Sequence, residues 1–578
     1  MRLGLKYFFS GVFLLIALPL FSQNVFLELN LTQSYQFGLL APPRSKPYLG
    51  VLAAIDRATR DNNIRGIVLN LSGFNSSREN LWELRAALER FRAAGKKVVA
   101  FVSHADLDLY TLATVADKIV MDGQGSLQLL GYVWGRSFFQ HSLERLGIGV
   151  RELRYFEYKS AAETFTRDTL SEADIRQYGE YLDDIFSYTR ATLMAARSWT
   201  AEDFDEIINR DFLFSAQSAL QRGVVDRIGR KDAIVDALKE LGADKVKNFV
   251  LHGDPATSVM QTRSAYRTRA RIALFARPPA IAVVYATGAT DMELGIAARS
   301  LARTVRELAE RRRVKAIVLR INSPGGSAEA ADYLAEAVRF ARQKKPVVVS
   351  MGRAAASGGY WAAVHANHIV ATPFTLTGSI GVIGSWFFDD GATGRLGVTQ
   401  GLMQRGDSAD LLTGFLLPNR DLRDDEEERF QNMILDMYRV FIEKVAEGRS
   451  MEIEAVEAVA AGRVFSGQRA LEAGLVDSIG GLWDAIDIAR NLAGIPPGKR
   501  IILSEYPRPS FRDRVLRQLA FAAASVAGSF GGAGTGGLAA AAALEHFLLP
   551  APMLEDLRFR LERNGQPMPI LPLGMHSL

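Results

Sequence analysis

The chain contains no cysteine. Disulfides, thiolate metal sites and a cysteine nucleophile are therefore excluded. The compartment is not, since an exported protein can do without disulfides. Histidine is scarce, with 7 residues in 578 and no clustered ligand spacing, so neither a metal nor another cofactor is expected. No G-x-x-x-x-G-K-[ST] phosphate loop and no H-E-x-x-H pair occurs. The stretch Gly378-Ser-Ile-Gly-Val-Ile-Gly384 is glycine-rich, but its G-x-x-G-x-x-G spacing is not that of a dinucleotide loop. The net charge is only +5, and no dense Lys/Arg run with interleaved aromatics appears. Nucleic acid is therefore not expected as a partner. A mildly basic face suits anionic lipid better.

What the chain does have is a repeat. Ile64-Arg-Gly-Ile-Val-Leu-Asn70 recurs 250 residues later as Val314-Lys-Ala-Ile-Val-Leu-Arg320. The register holds further on, where Ala116-Asp-Lys-Ile-Val120 lies over Ala366-Asn-His-Ile-Val370. A period this long fits two homologous domains, not a solenoid. Hydrophobic content of 48% and charged content of 23% are ordinary for a folded protein of this length. The organisation predicted is a segment 1–27, a first repeat 28–270, a second repeat 271–495 and an extension 496–578 rich in Ala and Gly.

In the first segment Arg2 and Lys6 precede a stretch without charge from Tyr7 to Leu27. The readings are an uncleaved anchor helix, a cleaved signal peptide or a buried helix. The anchor is favoured because Leu20 is a poor −3 residue for cleavage after Ser22. Basic residues ahead of it place the bulk of the chain outside the cytoplasm. The Arg-rich stretch Arg263–Arg277 reads as the connection between repeats. The Ala/Gly-rich tail Leu519–Leu548 reads as two small-residue helices with a flexible loop, or as a membrane or packing segment.

Within each repeat short apolar runs alternate with helical patterns, which predicts α/β domains with mainly parallel strands. Val25–Leu29 and Ile281–Tyr285 open the two sheets, and Ala316–Ile321 and Val347–Met351 follow in the second. A helix with Ala330, Tyr333, Leu334, Ala337, Val338 and Ala341 on its apolar side lies between the last two. Helical sections are predicted near Ser171–Asn209 and Leu422–Ala461. Each repeat closes alike, at Gly223-Val-Val-Asp226 and at Gly474-Leu-Val-Asp477.

Ser357, in Ala355-Ala-Ser-Gly-Gly359, follows a strand and precedes a helix. Small neighbours let a backbone turn sharply and a substrate approach closely. That makes Ser357 the nucleophile candidate, a capping serine being the alternative. The turn Asn322-Ser-Pro-Gly-Gly326 is either an ordinary tight turn or a second source of outward N–H groups. His365 and His368 lie near Ser357 in sequence and offer a rival Ser/His pair.

Taken together, INSPGGS, AASGGYW and LTGSIG, in this order and spacing, resemble the signal peptide peptidase A family of Ser/Lys proteases, peptidase family S49, in its long duplicated form. The resemblance covers nearly all of residues 25–495. It implies two tandem ClpP/crotonase-type β-β-α spiral domains. It also implies a nucleophile from the second repeat, Ser357, and a general base from the first, Lys159 in Tyr158-Lys-Ser160. A further serine hydrogen-bonded to that lysine maps to Ser379 in Leu376-Thr-Gly-Ser-Ile-Gly381. Backbone N–H groups of Gly358 and of the Gly325-Gly326 turn then fall to the oxyanion. The duplication supports the division. Leu107 stands where the second copy has Ser357, and Asp407 aligns with Lys159, so each copy lacks one member of the pair. A lysine acts as a base only when neutral, so Lys159 is expected to be buried between the repeats.

The same resemblance implies a homotetramer around an enclosed bowl, with cleaved signal peptides and other apolar fragments as substrates. The implied location is the bacterial inner membrane, single-pass, with the catalytic domains extracytoplasmic. The competing classes are a crotonase-like acyl-CoA enzyme and a non-proteolytic membrane scaffold or peptide-binding protein.

Overall fold

A computed structural model describes residues 25–31, 35–36, 46–243 and 278–507. The anchor predicted within 1–27, the connection Arg263–Arg277 and the Ala/Gly-rich tail fall outside these residues, apart from the strand Val25–Asn30. Among the described residues no helix is long and apolar enough to cross a membrane.

Two mixed α/β units build the molecule, each around one sheet. The first sheet runs Val25–Asn30, Ile64–Asn70, Lys97–Asp106, Lys118–Gln128 and Leu213–Ser215. The pairs are parallel except the last, and Arg227–Ile228 joins Lys118–Gln128 in parallel. The second sheet repeats the order with Ala280–Thr287, Val314–Ser323, Val347–Ala356, Leu376–Gly378 and Val464–Phe465. Its fourth position is split, since His368–Ala371 and Leu376–Gly378 occupy what is one strand, Lys118–Gln128, in the first copy. Ile502–Tyr506 adds a parallel edge beside Ala280–Thr287, a strand that the sequence pattern does not announce.

Burial on both faces explains the unbroken apolar runs of these strands. Ile317, Val318 and Leu319 are all fully buried, on alternating sides. Ile317 and Leu319 meet the helices Ala298–Glu310 and Ala328–Arg342. Val318 points the other way, into a core shared with Leu482, Ile486 and the first-copy helices Tyr48–Arg60 and Arg78–Ala93. The two sheets therefore share a core instead of folding side by side. Tyr333 departs from the predicted apolar face of its helix, being 45% exposed.

Each copy is closed by the same lock. Asp226 accepts a hydrogen bond from the Ile119 N–H and pairs with Arg197, at the end of the helix Glu172–Arg197. Asp477 accepts from the Ile369 N–H and pairs with Arg449, at the end of Asp424–Arg449. These are the Val-Asp signatures that close both repeats in the sequence.

One strand breaks the separation of the copies. Ile148–Leu153, from the first, pairs antiparallel with Gly384–Asp389, from the second, over the whole length of both. This pairing carries the following loop, with Lys159, onto the second copy.

Candidate active site

Ser357 stands where the strand Val347–Ala356 turns into the short helix Gly358–Trp361. Its backbone is at φ 56°, ψ −118°, a conformation that costs a non-glycine residue roughly 1–3 kcal/mol. The surroundings hold it there. The Ser357 N–H donates to Gly378 O at 2.8 Å, and Ser357 O accepts from the Trp361 N–H at 2.8 Å. Trp361 stacks on Phe441 with ring centroids 4.4 Å apart. The Tyr360 hydroxyl donates to Leu475 O, as Tyr110 donates to Val224 O in the first copy. The glycines after Ser357 are there for space: a Cβ on Gly359 would lie 2.8 Å from Ser323 O.

The turn Asn322–Ser327 packs against this elbow. Gly325 and Gly326 have φ of 108° and 152°, and a Cβ on Gly326 would lie 2.2 Å from Thr290 O. Thr290 ties the turn down, its N–H donating to Gly325 O and its carbonyl accepting from the Ser327 N–H, both at 2.7 Å. The Gly325 N–H turns inward to Ser323 Oγ at 3.2 Å and is not directed at a ligand. The Gly326 and Gly358 N–H groups donate to nothing among the described residues. They are neighbours, since a Cβ on Gly358 would lie 3.3 Å from Gly326 N.

Lys159 arrives from the first copy and is 1% exposed, against 0% for Ser357 and 2% for Ser379. Its Nζ donates to Ser357 Oγ at 2.5 Å, to Ser379 O at 2.8 Å and to Ser379 Oγ at 2.9 Å. Ser379 also sits at positive φ, 50°, with its N–H bound to Arg463 O at 2.7 Å. Gly462 seats the lysine: a Cβ there would come within 2.6 Å of Lys159 Cβ, and Ala461 O accepts the Tyr158 N–H.

Below the lysine is a buried network that sequence reasoning missed. Ser160 Oγ donates to Asp174 Oδ1 at 2.5 Å, and Arg136 pairs with Asp174 while donating to Ser160 O at 2.8 Å. Gln177 donates to Asp174 Oδ1 and to Tyr158 O, and its Oε1 accepts the Val464 N–H of the second copy. The only local trace of this network is Ser171-x-x-Asp174, which reads as a helix start. Its tertiary use leaves no sequence signal.

The remaining candidates lie elsewhere. His368 bonds Ser478 Oγ at 2.8 Å, at a strand edge. His365 is buried, which pushes its imidazole below the ordinary value, and its Nε2 has no hydrogen-bond partner. Neither hydrogen-bonds Ser357. Asp407 is exposed, its carbonyl accepting from Gln404 and Arg423. Leu107 begins the helix Leu107–Ala113, as Ser357 precedes its own, but its side chain is in the core. The stretch Gly378–Gly384 forms a strand end and the Ser379 turn. Among the described residues no group of three or more His, Asp or Glu is placed to hold a metal.

Comparison with known proteins matches the duplication. The family model described as Peptidase family S49 matches twice, over residues 90–245, which contain Lys159, and over 339–496, which contain Ser357 and Ser379. A Clp protease model matches residues 291–373. The chain is 30% identical over 490 residues to the chloroplastic serine protease SPPA of Arabidopsis thaliana, covering 83% of this chain and 70% of the relative. It is 33% identical over 465 residues to Protease 4 of Salmonella typhi, covering 77% and 71%. To Protease 4 of Haemophilus influenzae it is 29% identical over 464 residues, covering 78% and 74%.

Proposed function

The chain belongs to peptidase family S49 and is a serine protease; on that premise we propose that it is an endopeptidase in which Lys159 and Ser357 act as a dyad across the two copies. The observation that carries the reading is the 2.5 Å contact between Lys159 Nζ and Ser357 Oγ. A neutral amine takes the Ser357 proton as Oγ attacks the scissile carbonyl. Ser379, through its carbonyl and hydroxyl, keeps the amine in line. The oxyanion is received by the N–H groups of Gly358 and Gly326, each worth on the order of 3–4 kcal/mol. Gly325, first expected to donate, instead shapes the turn, because its N–H is already bound to Ser323. The lysine then protonates the leaving amine. It next takes a proton from water, whose attack on the acyl-Ser357 ester frees the enzyme.

Membership of the family and the uncharged segment 7–27 support apolar peptides, cleaved signal peptides among them, met at a membrane surface. Residues 1–27 as an anchor to the bacterial inner membrane, with the catalytic copies outside the cytoplasm, and a homotetramer belong to the same proposal. A monomeric mass by light scattering in detergent would remove the tetramer.

Ser357→Ala and Lys159→Ala should each abolish hydrolysis of an apolar peptide while circular dichroism stays unchanged. A fluorophosphonate probe should label wild type at Ser357. Full activity in Lys159→Ala refutes the dyad. Absence of labelling together with acyl-CoA turnover favours the crotonase-like alternative.

A further inference from the structure

The first copy lacks the nucleophile but keeps the cleft. A cavity of about 270 Å³ is lined by Phe74, Ser76, His104, Asp106, Ser126 and Gln128, among others. Shifted by 250 residues, these positions are Pro324, Gly326, Ala354, Ala356, Leu376 and Gly378, the elements around Ser357. The strand pairing confirms the equivalence: His104↔Ser126 and Asp106↔Gln128 in one copy, Ala354↔Leu376 and Ala356↔Gly378 in the other. The catalytic fittings are gone. Leu107 packs into the core, no residue from 104 to 110 has positive φ, and Phe74-Asn75-Ser76 replaces Pro-Gly-Gly.

Two differences leave this cleft open where the catalytic one is closed in. The ladder between Ile64–Asn70 and Lys97–Asp106 ends at Asn70↔Phe101, whereas its counterpart resumes at Ser323↔Ala355. Among the described residues, His104–Asp106 therefore pair only with Ser126–Gln128 and present a free strand edge to the cavity. The lining is mixed, with Phe74, Leu81, Ala105 and Leu109 as its apolar part and Asp106 as its single carboxylate. His104 bonds Ser126 Oγ at 2.9 Å, and no Lys or Arg is present. Asp106 Oδ1 accepts the Leu109 N–H at 2.8 Å, and the carboxylate forms no ion pair among the described residues.

We propose that this cavity is a second, non-catalytic peptide-binding site, in which an extended segment of a substrate adds to the edge of Lys97–Asp106 and places a Lys or Arg side chain on Asp106. It rests on the protease reading for its ligand class. A free strand edge supplies main-chain hydrogen bonds to any peptide, and the cavity selects the side chain. The volume is close to the lower end of small-ligand pockets, roughly 300–1,000 Å³, and suits one long side chain and not a whole peptide. A substrate long enough to reach both sites is thereby held while its other part lies at Ser357, which raises its effective concentration there.

The test is fluorescence anisotropy of a labelled apolar peptide of about 20 residues carrying one terminal Lys, titrated with full-length Ser357→Ala protein. Asp106→Asn keeps the helix cap, because Asn caps as well as Asp. Its affinity should fall about tenfold, the loss of one charge-assisted contact. Gln128→Trp, on an exposed position, should do the same by filling the cavity. Replacing the peptide Lys by Ala should weaken binding to the parent protein and remove the difference between it and Asp106→Asn. In the Ser357 background a short peptide should be cut equally by wild type and both variants. Equal affinity of the parent and both variants for the Lys peptide overturns the second site. Loss of short-peptide hydrolysis in Asp106→Asn also overturns it, since the residue would then serve the catalytic copy. Failure of the dyad appears separately, as retained hydrolysis in Lys159→Ala.

Discussion

Gly462→Ala tests whether the reaction depends on how the second copy seats a lysine from the first. The added methyl carbon would lie 2.6 Å from Lys159 Cβ and 2.7 Å from Lys159 N. Carbon atoms in contact sit about 3.5–4.0 Å apart, so the lysine backbone must retreat by about 1 Å. Its Nζ is held by three bonds of 2.5–2.9 Å, and a retreat of that size breaks the alignment with Ser357. Misplacement by about 1 Å costs on the order of 10²-fold in rate. The residue also has φ +81°, so the substitution adds backbone strain of about 1–3 kcal/mol. A control separates the two effects. Gly474→Ala has the same strain at φ +72°, but the nearest atom to its new methyl is Met451 Sδ at 3.9 Å. We expect Gly474→Ala to lose the stability that strain alone costs in urea denaturation and Gly462→Ala to lose that and more, because its overlap adds to the strain, while kcat for a short peptide falls about 100-fold in Gly462→Ala alone. Equal kcat in the two variants refutes the argument, because Lys159 would then tolerate displacement and could not be a positioned base.

Other consequences follow from buried charge. Arg136 and Asp174 are both essentially without solvent contact, so Arg136→Ala leaves a lone carboxylate and should cost about 3–5 kcal/mol by denaturant titration. The exposed pair Arg299–Glu293 should show under about 1 kcal/mol when Arg299 is replaced, and equal effects would mean that burial is not the cause. Glu152, on the strand that crosses between copies, has its carboxyl pushed up to about 7, chiefly by burial and against the pull of Arg154. The folded state thus holds this proton more tightly than the unfolded chain, and its contribution is full below about pH 4.5 and lost as pH rises through about 7. Glu152→Gln should therefore match wild type near pH 4 and exceed it by up to about 3 kcal/mol at pH 8. A gain confined to low pH would reverse the sign and exclude this origin.

Much of the site was legible because its determinants are local. A serine followed by two glycines after an apolar run specifies a sharp exit from a strand, and the structure puts Ser357 at that exit with positive φ. The repeat offset correctly located Leu107 at the same place in the first copy. The glycine pair leaves the Gly325 N–H open between an ordinary turn and the donor role that the family resemblance implies, and only the position of Ser323 Oγ shows where it points. Tyr333 fits the helical period yet faces solvent, since periodicity names a face without saying how wide the covering layer is.

The chain by itself determined the duplication, the alternation of the main strands and helices in each copy, and the sharp turn at Ser357. These depend on residue spacing and on glycine at a few backbone positions, which act over a handful of neighbours. Only the tertiary structure decided that Ile148–Leu153 leaves its own copy to pair with Gly384–Asp389, that Gly462 seats Lys159, and that Arg136, Asp174 and Gln177 lie beneath it. It also left the cleft of the first copy open at a free strand edge. The physical reason is range. A β-ladder between segments more than 200 residues apart uses backbone groups that every residue carries, so its partner is chosen by what the whole fold buries and not by any pattern within either strand.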